Sequence, residues 1–143
     1  MPKRRATAKW EGNVMEGAGS LGLGSGAWEG PYSARSRYED APESNPEELL
    51  AAAHAGCFTM ALALILGMAE SPPATLETEA VVHLRQKDRG FHIPQIDLIV
   101  RGKVPGIDQA EFEKHAGAAK KHCPLSKALA AVDEITLEAT LES

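Results

Sequence analysis

The chain has 143 residues, enough for one domain that buries its own core without metals or several disulfides. Hydrophobic residues make up 43% and charged residues 24%, a composition typical of a soluble globular protein. The net charge of −5 argues against nucleic acid as the main partner, and no apolar stretch follows the basic N-terminus as in a secretory signal. These features predict a single domain over residues 1–143 that lies in the cytoplasm and binds neither nucleic acid nor a membrane.

Three strands are predicted in the N-terminal part of the chain. Residues 4–14 mix strand-forming and polar side chains, and residues 15–30 hold six glycines, which favours a hairpin with a flexible turn over a phosphate loop. Residues 31–39 alternate again in polarity. This pattern predicts a strand with Arg35 and Arg37 on one face.

A long helix is predicted from Pro46 to about Gly67. Asn45 is a suitable N-cap, Pro46 suits the first helical position, and Glu47 and Glu48 favour the positive end of the helix dipole. The segment could nearly span a bilayer, but its flanks are those of a capped helix in a soluble protein. Because nearly all its faces are apolar, it should be buried by a sheet or by a partner subunit.

Five further elements are predicted after this helix. They are a strand over 75–87, a strand over 91–104 bent at Pro94, a helix over 108–122, a short helix over 124–131 and a strand over 132–142. Strands paired mostly by hairpins, with the helices in separate blocks, predict the α+β class.

Two cysteines stand in unusual settings. Cys57 lies within the long helix among small residues, where burial alone would raise its thiol pKa, so a reactive thiol there requires a nearby cation. The candidate cations are His54, Arg35 and Arg37. Cys123 follows a basic run and caps the short helix, a setting that lowers a thiol pKa. Electrostatics therefore favours Cys123 as the nucleophile, but the residues alone do not decide which cysteine attacks.

Other roles for the cysteines stay open at this point. A zinc site built from Cys57, Cys123, His54 and His122 has no supporting CxxC or HxxxH pair, so no metal or cofactor is predicted. A Cys-His-Asp hydrolase has no recognisable oxyanion loop. Without further information, a structural role as small buried hydrophobes is the default for both thiols.

Two segments, NPEELLAAAHAGCFTMALALILG and CPLSKAL, resemble the OsmC/Ohr family of osmotically inducible and organic hydroperoxide resistance proteins. The motifs KWEGN, PYSARSRYE, VPGID and EITLEATLES follow in the order expected for the OsmC branch. The resemblance therefore covers almost the whole chain.

The resemblance implies an α+β intertwined homodimer with a long buried central helix packed against antiparallel β-sheet. It also implies a stress-related, thiol-dependent peroxidase that reduces organic hydroperoxides and, less well, hydrogen peroxide. Cys57 would attack the peroxide and become a sulfenic acid, and Cys123 would condense with it to a disulfide. A dithiol reductant, lipoyl-linked in the Ohr branch, would restore both thiols. Glu47 and Arg37 would complete the site, with Arg35 as the alternative arginine.

Two other functions stay open, a non-catalytic stress-related binding or structural dimer and a general thiol–disulfide oxidoreductase, although the absence of CxxC weighs against the latter. Helix geometry adds one prediction about the site. Glu47 and Cys57 are ten residues apart, which separates them by ~15 Å along a helix and ~80° around it. Glu47, with Arg37, is therefore predicted to serve the Cys57 of a partner chain.

Overall fold

The computed structural model of the protein describes residues 1–143 and has the α+β character that the sequence predicts. It contains two compact units, Met1–Leu49 and Leu50–Ser143, and the single-domain organisation stays a prediction. In chain order the elements are β1 (Ala6–Glu11), β2 (Ala18–Leu23), β3 (Glu29–Tyr32), α1 (Ala34–Tyr38), α2 (Pro46–Met68), β4 (Thr75–Lys87), β5 (Gly90–Lys103), α3 (Gln109–His122), α4 (Pro124–Ala128) and β6 (Glu134–Leu141).

Strands β1, β2 and β3 form an antiparallel sheet in the first unit. Gly19 of β2 lies between Trp10 and Tyr32, whose rings meet edge to face with centroids 5.2 Å apart. A Cβ atom at Gly19 would come within 2.5 Å of both rings, so glycine is what lets the two aromatic side chains meet. The predicted glycine-rich hairpin therefore has a packed aromatic centre.

The strand predicted over 31–39 ends early, because Ser33 starts the short helix α1. The Ser33 hydroxyl accepts a hydrogen bond from the Ser36 backbone N–H, and the Ser36 hydroxyl accepts one from the Ser33 N–H. These local bonds form a capping box and outweigh the alternating pattern. Arg35 and Arg37 therefore do not share a face, since residues two apart on a helix point ~200° apart.

Strands β4, β5 and β6 form the sheet of the second unit. The hairpin of β4 and β5 is antiparallel, with Thr75 opposite Lys103 and Lys87 opposite Gly90. Strand β6 runs parallel to β5, so the prediction of an antiparallel sheet is wrong for this pair. A parallel pair needs a crossover connection, and α3 and α4 supply it with Cys123 at their junction.

The long helix is confirmed as α2, and one of its faces forms part of the core of the second unit. Phe58, Leu62 and Leu66 are fully buried there. They pack with the inward side chains of β5 and with Phe112 of α3. This face gives the helix the sheet contact that its apolar character predicts.

The opposite face of α2 is open in the single chain. Met60 and Met68 are each 76% exposed and Leu64 is 65% exposed. The helix is also long and apolar enough to cross a membrane, with a mean hydropathy of 2.1, a property that core helices share. Within a single chain, the predicted burial of the helix is therefore observed on one face and not on the other.

Candidate active site

The fold brings the two cysteines together. Cys57 lies on α2, while Cys123 lies between α3 and α4, where Pro124 favours an extended conformation at the preceding residue and ends α3. Their Sγ atoms are 2.9 Å apart and both thiols are free. A disulfide bond is about 2.05 Å long, so a shift of less than about 1 Å would join the two sulfurs.

The two thiols differ in exposure and share a hydrogen bond. Cys57 is half-buried, whereas Cys123 is completely buried. Burial is the main cause that raises the pKa of the Cys57 thiol, and the contact with Cys123 acts in the same direction. In that contact the Cys123 thiol is the donor and the Cys57 sulfur is the acceptor. The Leu125 backbone N–H acts in the opposite direction and lowers the Cys57 pKa.

This geometry changes the role expected for the start of α4. The sequence argument assigned the favourable helix N-terminus to Cys123, yet the N–H of Leu125, in the first turn of α4, stabilises the Cys57 thiolate. That contribution does not outweigh burial, so the net pKa of Cys57 is still raised. A nearby cation would lower this pKa and favour the Cys57 thiolate at neutral pH.

His54 is not that cation. Its side chain is completely buried, and burial lowers its pKa, which favours the neutral ring at neutral pH. Its Nε2 lies 2.8 Å from the Ser126 Oγ, and its Nδ1 has no hydrogen-bond partner. The sequence analysis did not identify Ser126, because only the fold brings α4 against α2.

Arg37 pairs with Glu47 within the first unit. The Arg37 Nη2 lies 2.8 Å and the Nε 3.1 Å from Glu47 Oε1, and the Glu47 side chain is only 10% exposed. The hydrogen bonds to Glu47 raise the pKa of Arg37. Arg35 instead lies 3.7 Å from Glu39 on an exposed surface. Of the two candidate arginines, Arg37 is thus the one held by Glu47.

A cavity of about 220 Å³ adjoins this arginine within the first unit. Aromatic and aliphatic side chains line much of it, including Trp10, Val14, Tyr32 and Tyr38. The Arg37 guanidinium carbon lies 5.7 Å from the centre of the Tyr38 ring, within cation–π distance. The sequence pattern does not assign these aromatic residues to a site, although Trp10 belongs to the KWEGN motif on which the family resemblance partly rests.

The zinc alternative has no geometric support. No group of three or more His, Cys, Asp or Glu side chains is arranged to hold a metal ion. The His54 Nε2 is already engaged by Ser126, and the sulfurs of Cys57 and Cys123 contact each other. This arrangement is suited to thiol chemistry that ends in a disulfide.

The fold and the paired thiols agree with a comparison of the whole chain with known families. A family model described as OsmC-like protein matches residues 39–138, and the chain belongs to this family. It is 43% identical over 141 residues to "Peroxiredoxin OsmC" of Escherichia coli (strain K12), a match covering 98% of this chain and 97% of that protein. The predicted family membership is confirmed.

More distant relatives carry the name of the second branch. The chain is 33% identical over 99 residues to organic hydroperoxide resistance protein OhrA of Bacillus subtilis (strain 168), a match covering 66% of each protein. The crystal structure of an organic hydroperoxide resistance protein from Elizabethkingia anophelis matches with a TM-score of 0.76 and 25% identity. That match covers 100% of this chain and 97% of the other, so the fold is shared over its full length.

Proposed function

We propose that the protein is a cysteine-based peroxidase that reduces organic hydroperoxides, with Cys57 as attacking and Cys123 as resolving thiol. The observation that carries this proposal is the pair of free thiols 2.9 Å apart in a chain of the OsmC-like family. The names of the relatives, a peroxiredoxin and organic hydroperoxide resistance proteins, support the same reaction class.

The reaction balances with these two residues and an external dithiol. The Cys57 thiolate attacks the terminal peroxide oxygen, so the S–O bond forms, the O–O bond breaks and Cys57 becomes a sulfenic acid. The alkoxide takes up the proton that the Cys57 thiol released and leaves as the alcohol. The Cys123 sulfur then attacks Cys57, the S–S bond forms and water leaves. The dithiol reductant, which we propose is lipoyl-linked, reduces this disulfide by thiol–disulfide exchange and is itself oxidised to a disulfide.

The half-burial of Cys57 favours attack over resolution for this residue. A substrate can reach a partly exposed sulfur, whereas Cys123 is completely enclosed and contacts Cys57 directly. This exposure difference supports the assignment of roles that the family resemblance implies, against the sequence argument from helix electrostatics.

Activation of Cys57 is assigned to Arg37. A guanidinium can lower the pKa of a thiol and donate hydrogen bonds to a peroxide oxygen. Glu47 holds this guanidinium through two of its nitrogens, which fixes the direction of its remaining N–H groups. We propose that this pair serves the Cys57 of a partner chain, so that two chains build each active site.

An unpartnered apolar surface supports a homodimer. It is the α2 stripe of Met60, Leu64 and Met68, whose members are 65% to 76% exposed. Exposed apolar patches of this kind often mark interfaces between proteins. A second copy suits the α2 stripe better than lipid does, because the opposite face of that helix packs in a protein core. We therefore propose a cytoplasmic homodimer without membrane or nucleic-acid partners.

The cavity beside Arg37 supports an organic substrate. Its aromatic walls favour an alkyl or aryl group over water, whereas hydrogen peroxide has no group to fill it. Turnover with cumene hydroperoxide and with hydrogen peroxide, each with a lipoyl dithiol as reductant, tests the proposal. We expect a higher kcat/KM for cumene hydroperoxide. If neither peroxide is consumed, a non-catalytic binding or structural dimer or a general thiol–disulfide oxidoreductase replaces it.

A further inference from the structure

A second contact joins the two helices that carry the thiols. His54 lies three residues before Cys57 on α2, and Ser126 lies three residues after Cys123 on α4. The His54 Nε2 is 2.8 Å from the Ser126 Oγ, beside the 2.9 Å contact between the sulfurs. The two helices therefore meet at three points: the reacting sulfurs, the Leu125 backbone N–H that bonds Cys57, and the buried hydrogen bond between His54 and Ser126.

Stability does not account well for this buried pair. A hydrogen bond between neutral groups contributes only a small net amount, since both groups lose their hydrogen bonds to water. A buried polar atom without a partner costs a comparable amount, and the His54 Nδ1 is such an atom. An apolar side chain of similar volume would avoid that cost, so stability alone gives no reason for a histidine at this position.

Helix α4 has little of its own to fix its position. It has five residues, too few to be stable alone, and Cys123 makes no side-chain capping bond at its start. Leu125 and the C-cap residue Leu129 pack against the core, but hydrophobic contacts are not directional. The hydrogen bond between His54 and Ser126 is directional, and it adds to the Leu125 N–H bond to Cys57 in fixing the register of α4 on α2.

We propose that His54 and Ser126 are positioning residues that hold Cys123 for attack on the oxidised Cys57. In this step the Cys123 sulfur attacks the Cys57 sulfenic sulfur, the S–S bond forms, and the S–O bond breaks. The departing hydroxide takes the Cys123 proton and leaves as water. The inference rests on the proposed function, because that function supplies the sulfenic acid. Displacing a reacting atom by about 1 Å can slow a reaction by about a hundredfold, which makes a single positioning bond consequential.

The variants His54→Leu and Ser126→Ala remove the bond, and Thr59→Val is the matched control. The Thr59 Oγ1 lies 2.7 Å from the Thr78 Oγ1 and so connects α2 to β4, two residues from Cys57 but away from α4. Quenched-flow mass spectrometry with cumene hydroperoxide measures sulfenic acid formation and disulfide formation separately. We expect disulfide formation to slow at least about tenfold in the first two variants, with sulfinic acid accumulating, while sulfenic acid formation changes less than about twofold. Thr59→Val should leave both rates unchanged.

The conservative variant His54→Gln separates positioning from a general structural effect. Its amide nitrogen can reach a position close to that of the imidazole Nε2, so we expect it to restore most of the disulfide formation rate. Thermal unfolding of all variants provides the structural control. If His54→Leu and Ser126→Ala form the disulfide at the wild-type rate, or if the rates follow the melting temperatures of all variants including Thr59→Val, the positioning role is wrong.

Equilibration with a dithiothreitol redox buffer tests the same bond without any peroxide. We expect the Cys57–Cys123 disulfide of His54→Leu to be at least about tenfold easier to reduce than that of the wild type, which corresponds to about 30 mV. An unchanged equilibrium would also overturn the inference. If the wild type consumes no hydroperoxide, the proposed function fails, while this titration still decides whether the hydrogen bond positions the thiols.

Discussion

The thiol pair of the second unit lies in a buried, apolar environment, whereas the ion pair of the first unit is charged and partly exposed. Cys57 and Cys123 meet at the edge of a hydrophobic core, where burial favours the neutral thiol and raises the Cys57 pKa. Arg37 is 38% exposed and is held on a five-residue helix by a carboxylate at the start of α2. In the proposed mechanism, the second unit supplies both thiols, whereas the guanidinium that would activate Cys57 belongs to the first unit.

The largest expected effect is at the attacking thiol. Cys57→Ser should abolish peroxide reduction, because serine cannot form a sulfenic acid. Consumption of cumene hydroperoxide under steady-state conditions measures this loss. Activity near the wild-type level in this variant would rule out the mechanism and leave the ion pair without a thiol to activate.

Cys123→Ser should confine the chemistry to one turnover. Cys57 should still react once and then remain a sulfenic acid or progress to sulfinic acid, because no second thiol is available. Mass spectrometry after one equivalent of hydroperoxide identifies the product. The roles of the two cysteines are wrong if Cys57 stays reduced in this experiment.

Arg37→Ala should slow the reaction of Cys57 by at least about tenfold at neutral pH, because the compensating charge that lowers its pKa is lost. The rate should rise with pH as Cys57 deprotonates, and the midpoint of that rise should move to higher pH in the variant. Arg35→Ala is the matched control, since Arg35 contacts only the exposed Glu39 among carboxylates. A larger effect at position 35 would show that the pair with Glu47 is not the activating one.

Mixing Cys57→Ser chains with Glu47→Ala chains tests whether the first unit of one chain serves the second unit of another. If each site combines Glu47 of one chain with Cys57 of another, a heterodimer contains one intact site and one doubly defective site. Random exchange should then restore about a quarter of wild-type activity, since half the dimers are mixed and each has one of two sites. No recovery, despite exchange demonstrated by native mass spectrometry, would contradict a shared site.

The smallest effect on activity is expected on the outer face of the second sheet. Asp97 accepts hydrogen bonds from Gln95, His83 and Thr136, and these hold its pKa at about 2, below the ordinary 3.8. The stabilisation is therefore fully present above pH 3.8 and is lost as the pH falls through about 2. Asp97→Asn should lower the free energy of unfolding by about 1 to 2 kcal/mol at neutral pH with kcat unchanged.

Urea unfolding at pH 7 and at pH 3 measures that effect, with Glu79→Gln on an exposed site of β4 as the control. The difference between wild type and Asp97→Asn should shrink at the lower pH, whereas Glu79→Gln should stay within about 0.5 kcal/mol of the wild type. An equal loss in both variants would mean that the hydrogen bonds of Asp97 do not carry the stabilisation.

Elements with strong local signals were predicted well. Asn45 and Pro46 mark the start of α2, and β4 spans residues 75–87 as its alternation indicates. The strand prediction over 31–39 is wrong from Ser33 onwards, because a Ser–x–x–Ser capping box in the same segment competes with the alternating pattern. Local patterns can compete over so short a segment, and the hydrogen bonds that decide between them depend on the folded loop.

Contacts between distant segments could not be derived from local patterns. The parallel pairing of β5 with β6 depends on a crossover, and no periodicity in either strand specifies it. The meeting of Cys57 with Cys123 was expected only from the family resemblance, and the bond of His54 to Ser126 was not expected at all. Arg35 and Arg37 share a face on the predicted strand, so the sequence pattern does not distinguish them as site residues. On the helix α1 they point in different directions, and this difference distinguishes them.

The complete burial of Cys123 makes the two ends of the proposed disulfide chemically unequal. An incoming thiolate must approach a disulfide sulfur directly, and only the Cys57 sulfur is partly open to solvent. Each mixed disulfide would therefore form on α2, with Cys123 as the departing thiol that stays next to the bond it has just left. Such a leaving group can return and expel a monothiol before a second one arrives, whereas the second arm of a dithiol completes the exchange intramolecularly. Monothiols would then be poor reductants for this protein. The burial of the Cys123 side chain would thereby select dithiols over monothiols among the reductants of the cell.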